Sequence, residues 1–350
     1  MSKKIMPIIL DKDFNKIGII DTYQSIIWTT RYYDHGDFEL VLSLNSINFY
    51  QFSNGYYVTR EDDDNVGIIE KLEARLTETG AHVLTISGRF CTQILARRII
   101  AEQTEVSGTV AEAINQLITD AIISPTISAR QISNFTLGDY STEETIEAQY
   151  TGKNLYTVIH DICVQYGLGF KVTLNQNNQF VFELYKGVNR AWDQTENPYF
   201  VFSNQFDNLL NAEFLINYMN TVNAVLSAGE GEGDQRKIIW VQTESNPSGL
   251  DRYEYYDDSR NTSTNEGEIS DQKYLEQLSE LGKECFTPYD ITIGGEVDFS
   301  AVKFKTDVNV GDIVIINDST VQFTFKARII EVIESIDASG KYSIIPTFGQ

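Results

Sequence analysis

The sequence predicts a β-rich α+β protein in which two β regions flank an α+β insertion. Three observations carry this expectation. Short apolar or aromatic runs alternate with turn residues over 1–100 and again from about 196 to 350. Between these regions the hydrophobic period lengthens twice to that of a helix. Inside the second β region lies an acidic stretch, 230–290, with 6 basic and 15 acidic side chains (net −9), whereas 1–100 carries 11 and 13 (net −2).

The first hundred residues read as a meander. Runs at Pro7–Leu10, Ile17–Ile20, Ser25–Thr30, Phe38–Leu44, Tyr56–Arg60, Val66–Leu76 and Ala81–Phe90 are strands. Asp11–Asn15, Asp62–Asn65 and Glu78–Gly80 supply turn chemistry between them. Short strands at this spacing predict a barrel or a sandwich.

The insertion opens at Thr109-Val110-Ala111-Glu112, a capping box, with Ile114, Leu117, Ile118, Ala121 and Ile122 on one face behind it. A polar loop is expected from about Ser124 to Gly152. Leu155, Val158, Ile159, Ile162, Cys163 and Tyr166 predict a second helix, stopped at Gly167. Phe170/Val172/Leu174 and Phe180/Phe182/Leu184 alternate across Asn175–Asn178, which predicts a hairpin.

Strand character returns at Phe200–Phe202, Ala212–Tyr218, Val222–Leu226 and Lys237–Thr243. A lobe at about 244–290 holds a polar stretch and a helix capped by Ser270, with Tyr274, Leu278, Leu281 and Cys285 on one side. The chain closes on a meander: Ala301–Thr306, Gly311–Ile316, Val321–Phe325, Ala327–Glu334 and Tyr342–Pro346.

Composition narrows the function. Of 350 residues 42 % are apolar, and there are 19 Tyr and 19 Phe, so a disordered chain is excluded. A compact chain of this length buries roughly 75 % of its unfolded surface. The balance of 27 Lys+Arg against 50 Asp+Glu gives −23 and argues against gripping a nucleic-acid backbone. No apolar run approaches the ~18 residues of a membrane span. The MSKKIMPIIL start is too short for a signal peptide. Cytosolic synthesis with reduced cysteines is expected.

The catalytic inventory is sparse. Cys91, Cys163 and Cys285 form no CxxC; His35, His82 and His160 lie far apart; HExxH and GxSxG are absent. Cys163 and Cys285 sit on apolar helix faces and read as buried, inert thiols. Glu143-Glu144 carries little information in an acidic chain. Gly229-Glu230-Gly231-Glu232-Gly233 is GxGxG rather than GxGxxG, and two glutamates would repel a pyrophosphate, so it reads as a hairpin loop. Asp11-Lys12-Asp13-Phe14-Asn15 has calcium-loop spacing, but Lys16 and Thr22 stand where an EF-hand needs Gly and Glu, so a turn is expected. Asp62-Asp63-Asp64 reads as a solvated charge run. No catalytic residue, cofactor or metal is predicted, and the chain reads as a non-enzymatic assembly or binding protein.

Three motifs resemble one family. They are Trp28-x-x-Arg31-Tyr32-x-x-x-Gly36-Asp37-Phe38-Glu39-Leu40; Asp207-Asn208-Leu209-Leu210-Asn211 before a strand and a Gly/Glu loop; and Val310-Gly311-Asp312-Ile313-Val314 with Ala327-Arg328-Ile329-x-Glu331-Val332 and a closing Pro346-Thr347-Phe348-Gly349. In order and spacing they are similar to the hub proteins of long-tailed phages of Gram-positive hosts, the N-terminal structural modules of tail-associated lysins. These in turn are similar to the central hub of contractile baseplates.

The resemblance implies two tube-type β-barrel domains flanking an α+β insertion, plus a small acidic outer lobe. The barrels would span 1–100 and 196–350, with the insertion at 101–195. It implies a homotrimer that continues the tail tube with pseudo-sixfold symmetry, closes it before infection and gives passage to DNA. Implied partners are the tail tube or distal tail protein, the tape-measure protein, and receptor-binding, fibre or lysin proteins. DNA would be met only in passage. The setting would be the virion tail tip, assembled in the host cytoplasm. Larger members continue into a wall-cleaving domain, which is not expected in a chain ending at Gln350. Gly36 and Gly311 would permit tight connections, and Phe38, Leu40, Ile313 and Ile329 would be core. Two further readings are a tail-associated cell-wall hydrolase and a carbohydrate- or receptor-binding module using Tyr253, Tyr255, Tyr256 and the loop near Glu266.

Overall fold

The computed structural model describes residues 4–44, 51–77, 80–264, 269–288, 290–297, 302–320 and 322–349. The protein is β-rich α+β and divides into two compact units through which the chain passes alternately. The first unit comprises Met1–Gln93, Leu168–Phe214 and Thr292–Gln350; the second comprises Ile94–Gly167 and Leu215–Ile291.

In the first unit the main sheet runs in the order Tyr342–Gly349, Phe323–Ile336, Ser25–Arg31, Asp37–Ser43, His82–Arg89, Lys71–Leu76. Its buried face follows from period-two alternation. Trp28 lies opposite Phe38, and Ile26 opposite Leu40. Leu40 in turn faces Ile86. These side chains, with Phe90, Val58 and Ile9, form one apolar cluster. A second sheet follows the order Phe180–Tyr185, Gly169–Leu174, Asp63–Ile68, Tyr57–Arg60, Ile8–Leu10, Lys16–Ile19. The expected hairpin thus exists, with Phe170 opposite Leu184 and Val172 opposite Phe182.

Two separate closed barrels are not what the described residues form. None of the sheets returns to its first strand, and the opening and closing β regions share one sheet: Ile26 faces Ile336 and Trp28 faces Glu334. Alternation in a sequence specifies which face of a strand is buried, not which strand lies beside it. The expected strand Ala301–Thr306 is also absent over its described part. Val302 and Lys303 have no regular structure, Phe304 makes an isolated bridge with Val308 across a turn that includes Lys305 and Thr306, and Ala301 lies outside the described residues.

In the second unit, helix α1 (Val110–Ile118) begins at the predicted capping box, with Thr109 and Glu112 bonding each other's backbone N–H. Helix α2 (Leu155–Tyr166) is capped by Asn154 and ends at Gly167, whose left-handed backbone (φ 65°) closes it. The stretch expected as a polar loop contains a strand, Thr145–Tyr150, antiparallel to Thr104–Thr109. Its polar sequence hides a one-sided pattern in which Ile146, Ala148 and Tyr150 are buried. A three-stranded sheet places Ala224–Ala228 between Ile238–Gln242 and Glu254–Asp258. Helix α3 (Asp271–Glu284), capped by Ser270 as expected, packs on one face of it. A Cβ on Gly282 would meet Ser227 Oγ at 2.5 Å and Val241 at 3.0 Å. Tyr274, Leu278 and Leu281 are buried, and Cys285 is half-buried.

Candidate functional site

The first and third motifs converge in the first unit. Arg31, at the end of its strand, donates through Nε to Glu331 (2.6 Å) and through Nη1 to Asp37 (2.5 Å) and the His35 carbonyl (3.1 Å). One guanidinium therefore fastens three strands. Gly36 admits close packing: a Cβ there would stand 2.1 Å from the Thr29 carbonyl oxygen and 2.4 Å from the Phe90 ring. Gly311 (φ 95°) lies against Tyr32, whose ring a Cβ would meet at 2.3 Å. Arg328 covers that ring at 4.8 Å and donates to the Gly311 carbonyl (2.7 Å). Asp312, almost buried, accepts from Arg190 Nε (2.9 Å) and from the backbone of Val188 (2.9 Å) and Asn309 (3.1 Å). Trp28, Phe38, Leu40 and Ile329 are core, and Ile313 is half-buried.

The second motif is a separate local device. Asp207 takes a left-handed conformation (φ 53°) after a short 3-10 turn. Asn208 then accepts from Ser203 N–H (2.7 Å) and donates to the Val201 carbonyl (2.8 Å).

Beside the converged motifs opens a cleft of about 540 Å³ whose lining includes Arg31, Asp63, Lys171, Arg190, Lys305 and Asp312. These charges are used internally. Lys171 pairs with Glu183 (3.2 Å), Lys305 with Asp63 (2.5 Å), and Arg190 with Asp312. Below lies an ion pair that sequence reading missed. Arg60 and Glu334 have side chains 0 % and 1 % exposed and meet through two hydrogen bonds of 3.3 and 3.2 Å. Asp62 and Tyr342 also bond to them, and the Trp28 ring lies 5.2 Å from the Arg60 guanidinium. Desolvation works against the Arg60 charge, but its carboxylate partners outweigh it and hold the group protonated. No local pattern announces partners 274 residues apart. The run at 62–64 is thus partly structural rather than wholly solvated, since Asp63 is itself buried at its side chain.

The remaining candidates resolve into structure. Asp11 accepts from the backbone of Asp13 (2.8 Å) and Asn15 (2.9 Å), forming the expected turn. The Gly229–Gly233 loop joins two adjacent strands. Glu230 there accepts from Thr264 N–H (2.9 Å) and Oγ1 (2.6 Å). Burial raises its carboxyl, but those bonds outweigh burial and hold it below its ordinary range. Burial pushes the Cys163 thiol far up and the Cys285 thiol up to about 12, so neither is a ready nucleophile. Tyr150 Oη donates to Glu284, whose side chain is 4 % exposed and lies 3.8 Å from Lys153. Burial dominates there and raises the Glu284 carboxyl to about 7. Among the described residues no group of three His, Cys, Asp or Glu could hold a metal, and no helix is long and apolar enough to cross a membrane. Glu266 lies outside the described residues.

The pattern is of motif residues that tie strands and turns together. The Siphovirus ReqiPepy6 Gp37-like family model matches residues 7–350. The chain belongs to that family. Its fold is shared with solved tail proteins. One is a tail protein of Neisseria meningitidis MC58, at TM-score 0.58 and 13 % identity, covering 99 % of this chain and 97 % of that one. Another is the prophage tail protein gp18 of Listeria monocytogenes EGD-e, at TM-score 0.56 and 12 % identity, covering 99 % and 94 %. A third is the 43 kDa tail protein of prophage MuSo2 from Shewanella oneidensis, at TM-score 0.55 and 13 % identity, covering 98 % and 97 %. No curated protein matches the sequence. Membership bears out the phage-tail resemblance carried by the three motifs. At these identities the solved structures speak for the fold alone.

Proposed function

We propose that this Gp37-like protein is a non-enzymatic structural component of the virion, the hub at the tail tip. The observation that carries the reading is the use of the motif residues. Arg31, Gly36, Asp312 and Arg328 are engaged in fastening strands, and the cleft beside them is lined by ion pairs that already satisfy one another. The likeness to three tail proteins over nearly their whole lengths supports the same reading. In this proposal three copies surround the tail axis, and neighbouring copies cover the open sheet edges, which would otherwise template aggregation. The threefold ring then seats on a sixfold tube above. A net charge of −23 keeps passing DNA from adhering. Tail tube, tape-measure and receptor-binding proteins are the proposed neighbours.

Electron microscopy of assembled tails with an antibody fragment against this chain tests the reading. Three fragments around the axis at the distal end are expected. Labelling along the shaft or at the head would overturn it. A zymogram on Gram-positive walls tests the non-enzymatic half, and clearing by the purified protein would overturn that half.

A further inference from the structure

The three-stranded sheet of the second unit has one face under α3 and one face open. The middle strand directs Val225 and Ser227 to the helix side and Ala224, Leu226 and Ala228 to the other. On that open face Leu226 stands directly between Trp240 and Tyr256, its register partners on the two neighbouring strands. Trp240 and Tyr256 are 49 % and 50 % exposed. Two arginines bound this row. Arg252 lies 5.0 Å from the Trp240 ring and reaches Glu254 (2.6 Å) and Gln242 (2.8 Å), at the Ala224 level. Arg236 bonds Tyr256 Oη (2.6 Å), Asp258 and the Ala228 carbonyl (2.8 Å), at the Ala228 level. The result is a narrow apolar strip with fixed rings, a hydrogen-bonding border at the Ala224 level, and a border at the Ala228 level shared between Arg236 with Asp258 and the half-exposed Ile238.

The geometry points to a binding face for a β-1,4-linked pyranose chain, with one sugar stacked on Trp240, the next over Leu226 and a third on Tyr256. Two strand intervals set the rings roughly 10 Å apart, close to the length of a disaccharide unit in such a chain. Arg252 lies over one face of the Trp240 ring (5.0 Å) and Arg236 over one face of the Tyr256 ring (5.8 Å), which leaves the opposite negative π-face of each for the axial C–H face of a pyranose. Gln242, Glu254 and Asp258 lie within reach of the sugar hydroxyls along the borders. A protein partner fits less well. Two half-exposed rings, Leu226 and the half-exposed Ile238 opposite Ala228 offer on the order of 400 Å², against about 800 Å² per side for a stable interface. An added peptide strand would need a sheet edge, whereas this row runs across the strands on side chains alone. Of the tyrosines singled out in the sequence, only Tyr256 belongs to the row, and Trp240 was not foreseen. The inference is independent of the hub reading.

Calorimetric titration of the full chain with chitohexaose and cellohexaose, and with maltohexaose as an α-1,4-linked control, decides the matter. Saturable binding of at least one β-1,4 hexasaccharide is expected, with maltohexaose bound at least about tenfold more weakly. Trp240→Ala and Tyr256→Ala should each weaken binding roughly tenfold or more, while Trp240→Phe and Tyr256→Phe retain most of it. Circular dichroism of each variant verifies folding. Absence of saturable heat with both β-1,4 probes at millimolar concentration would overturn the proposal. Equal affinity in Trp240→Ala would do so too. A change of molecular mass in Trp240→Ala by light scattering, without glycan binding by the parent, would assign the face to contacts between copies instead.

Discussion

Arg60 and Glu334, 274 residues apart, meet through paired hydrogen bonds of 3.3 and 3.2 Å with both side chains out of contact with solvent. The pair joins the Tyr57–Arg60 strand of one sheet to the long Phe323–Ile336 strand of the other. Removing one partner takes away a buried counter-charge, although Arg60 keeps Asp62 (2.9 Å) and Glu334 keeps Lys305 (3.6 Å) and the Tyr342 hydroxyl (2.7 Å). Arg60→Met and Glu334→Gln should therefore each lower unfolding free energy by less than the ~3–5 kcal/mol of a fully stranded buried charge. The double variant should cost less than the sum. Denaturant titration of the four proteins measures this, and strict additivity would show that the two side chains do not act as a pair.

Gly311 separates backbone strain from crowding. Its φ of 95° opposes a side chain, and so does the Tyr32 ring, which would stand 2.3 Å from an added Cβ. Gly340 has a similar φ (81°) but open space around it. Gly340→Ala should cost about 1–2 kcal/mol, the left-handed penalty alone. Gly311→Ala should cost clearly more. Equal thermal shifts in the two variants would mean that Tyr32 moves aside freely.

Glu284 makes the second unit pH-sensitive in a direction set by its burial. Its folded carboxyl titrates near 7, above the ordinary glutamate value, because desolvation outweighs Lys153 and the Tyr150 hydrogen bond; Asp161 and Asp257 raise it further. Between about pH 4.5 and 7 the folded state holds this proton and the unfolded state does not. The contribution to stability is therefore largest at acidic pH and is lost as pH rises to about 7, by an amount on the order of 3 kcal/mol. Glu284→Gln keeps the shape and abolishes the titration. Urea unfolding at several pH values should show the variant gaining on the parent as pH rises through this window. A pH-independent difference would refute the assignment.

Asn208 completes two hydrogen bonds while 8 % exposed. Asn208→Ala leaves Ser203 N–H and the Val201 carbonyl without it and should cost about 1–3 kcal/mol. Asp207→Gly, at a left-handed position, should be neutral or stabilising. Thermal denaturation checks both, and a neutral Asn208→Ala would remove the second motif from the structural ties.

Local features were legible in the sequence and long-range ones were not. Thr109 and Glu112 announced α1, Gly167 the end of α2, and Phe170 to Leu184 a hairpin, because each rests on contacts within a few residues. The pairing of Ile26 with Ile336 has no sequence signature, and barrels were expected where one shared sheet stands. The same holds for the site. Arg31, Gly36 and Asp312 were found through motif order, whereas Arg60, Glu334 and Trp240 belong to no motif. Their importance arises only once distant strands become neighbours.

The partnership of Arg31 with Glu331 spans 300 positions and bears on biosynthesis. During translation the Ser25–Arg31 strand emerges some 300 residues ahead of its neighbour Phe323–Ile336. Ile26 and Trp28 therefore wait, uncovered on one flank, until that intervening chain has been made. Closure of the sheet carries a high loop-closure cost, and the nascent chain is open to chaperone capture until it occurs.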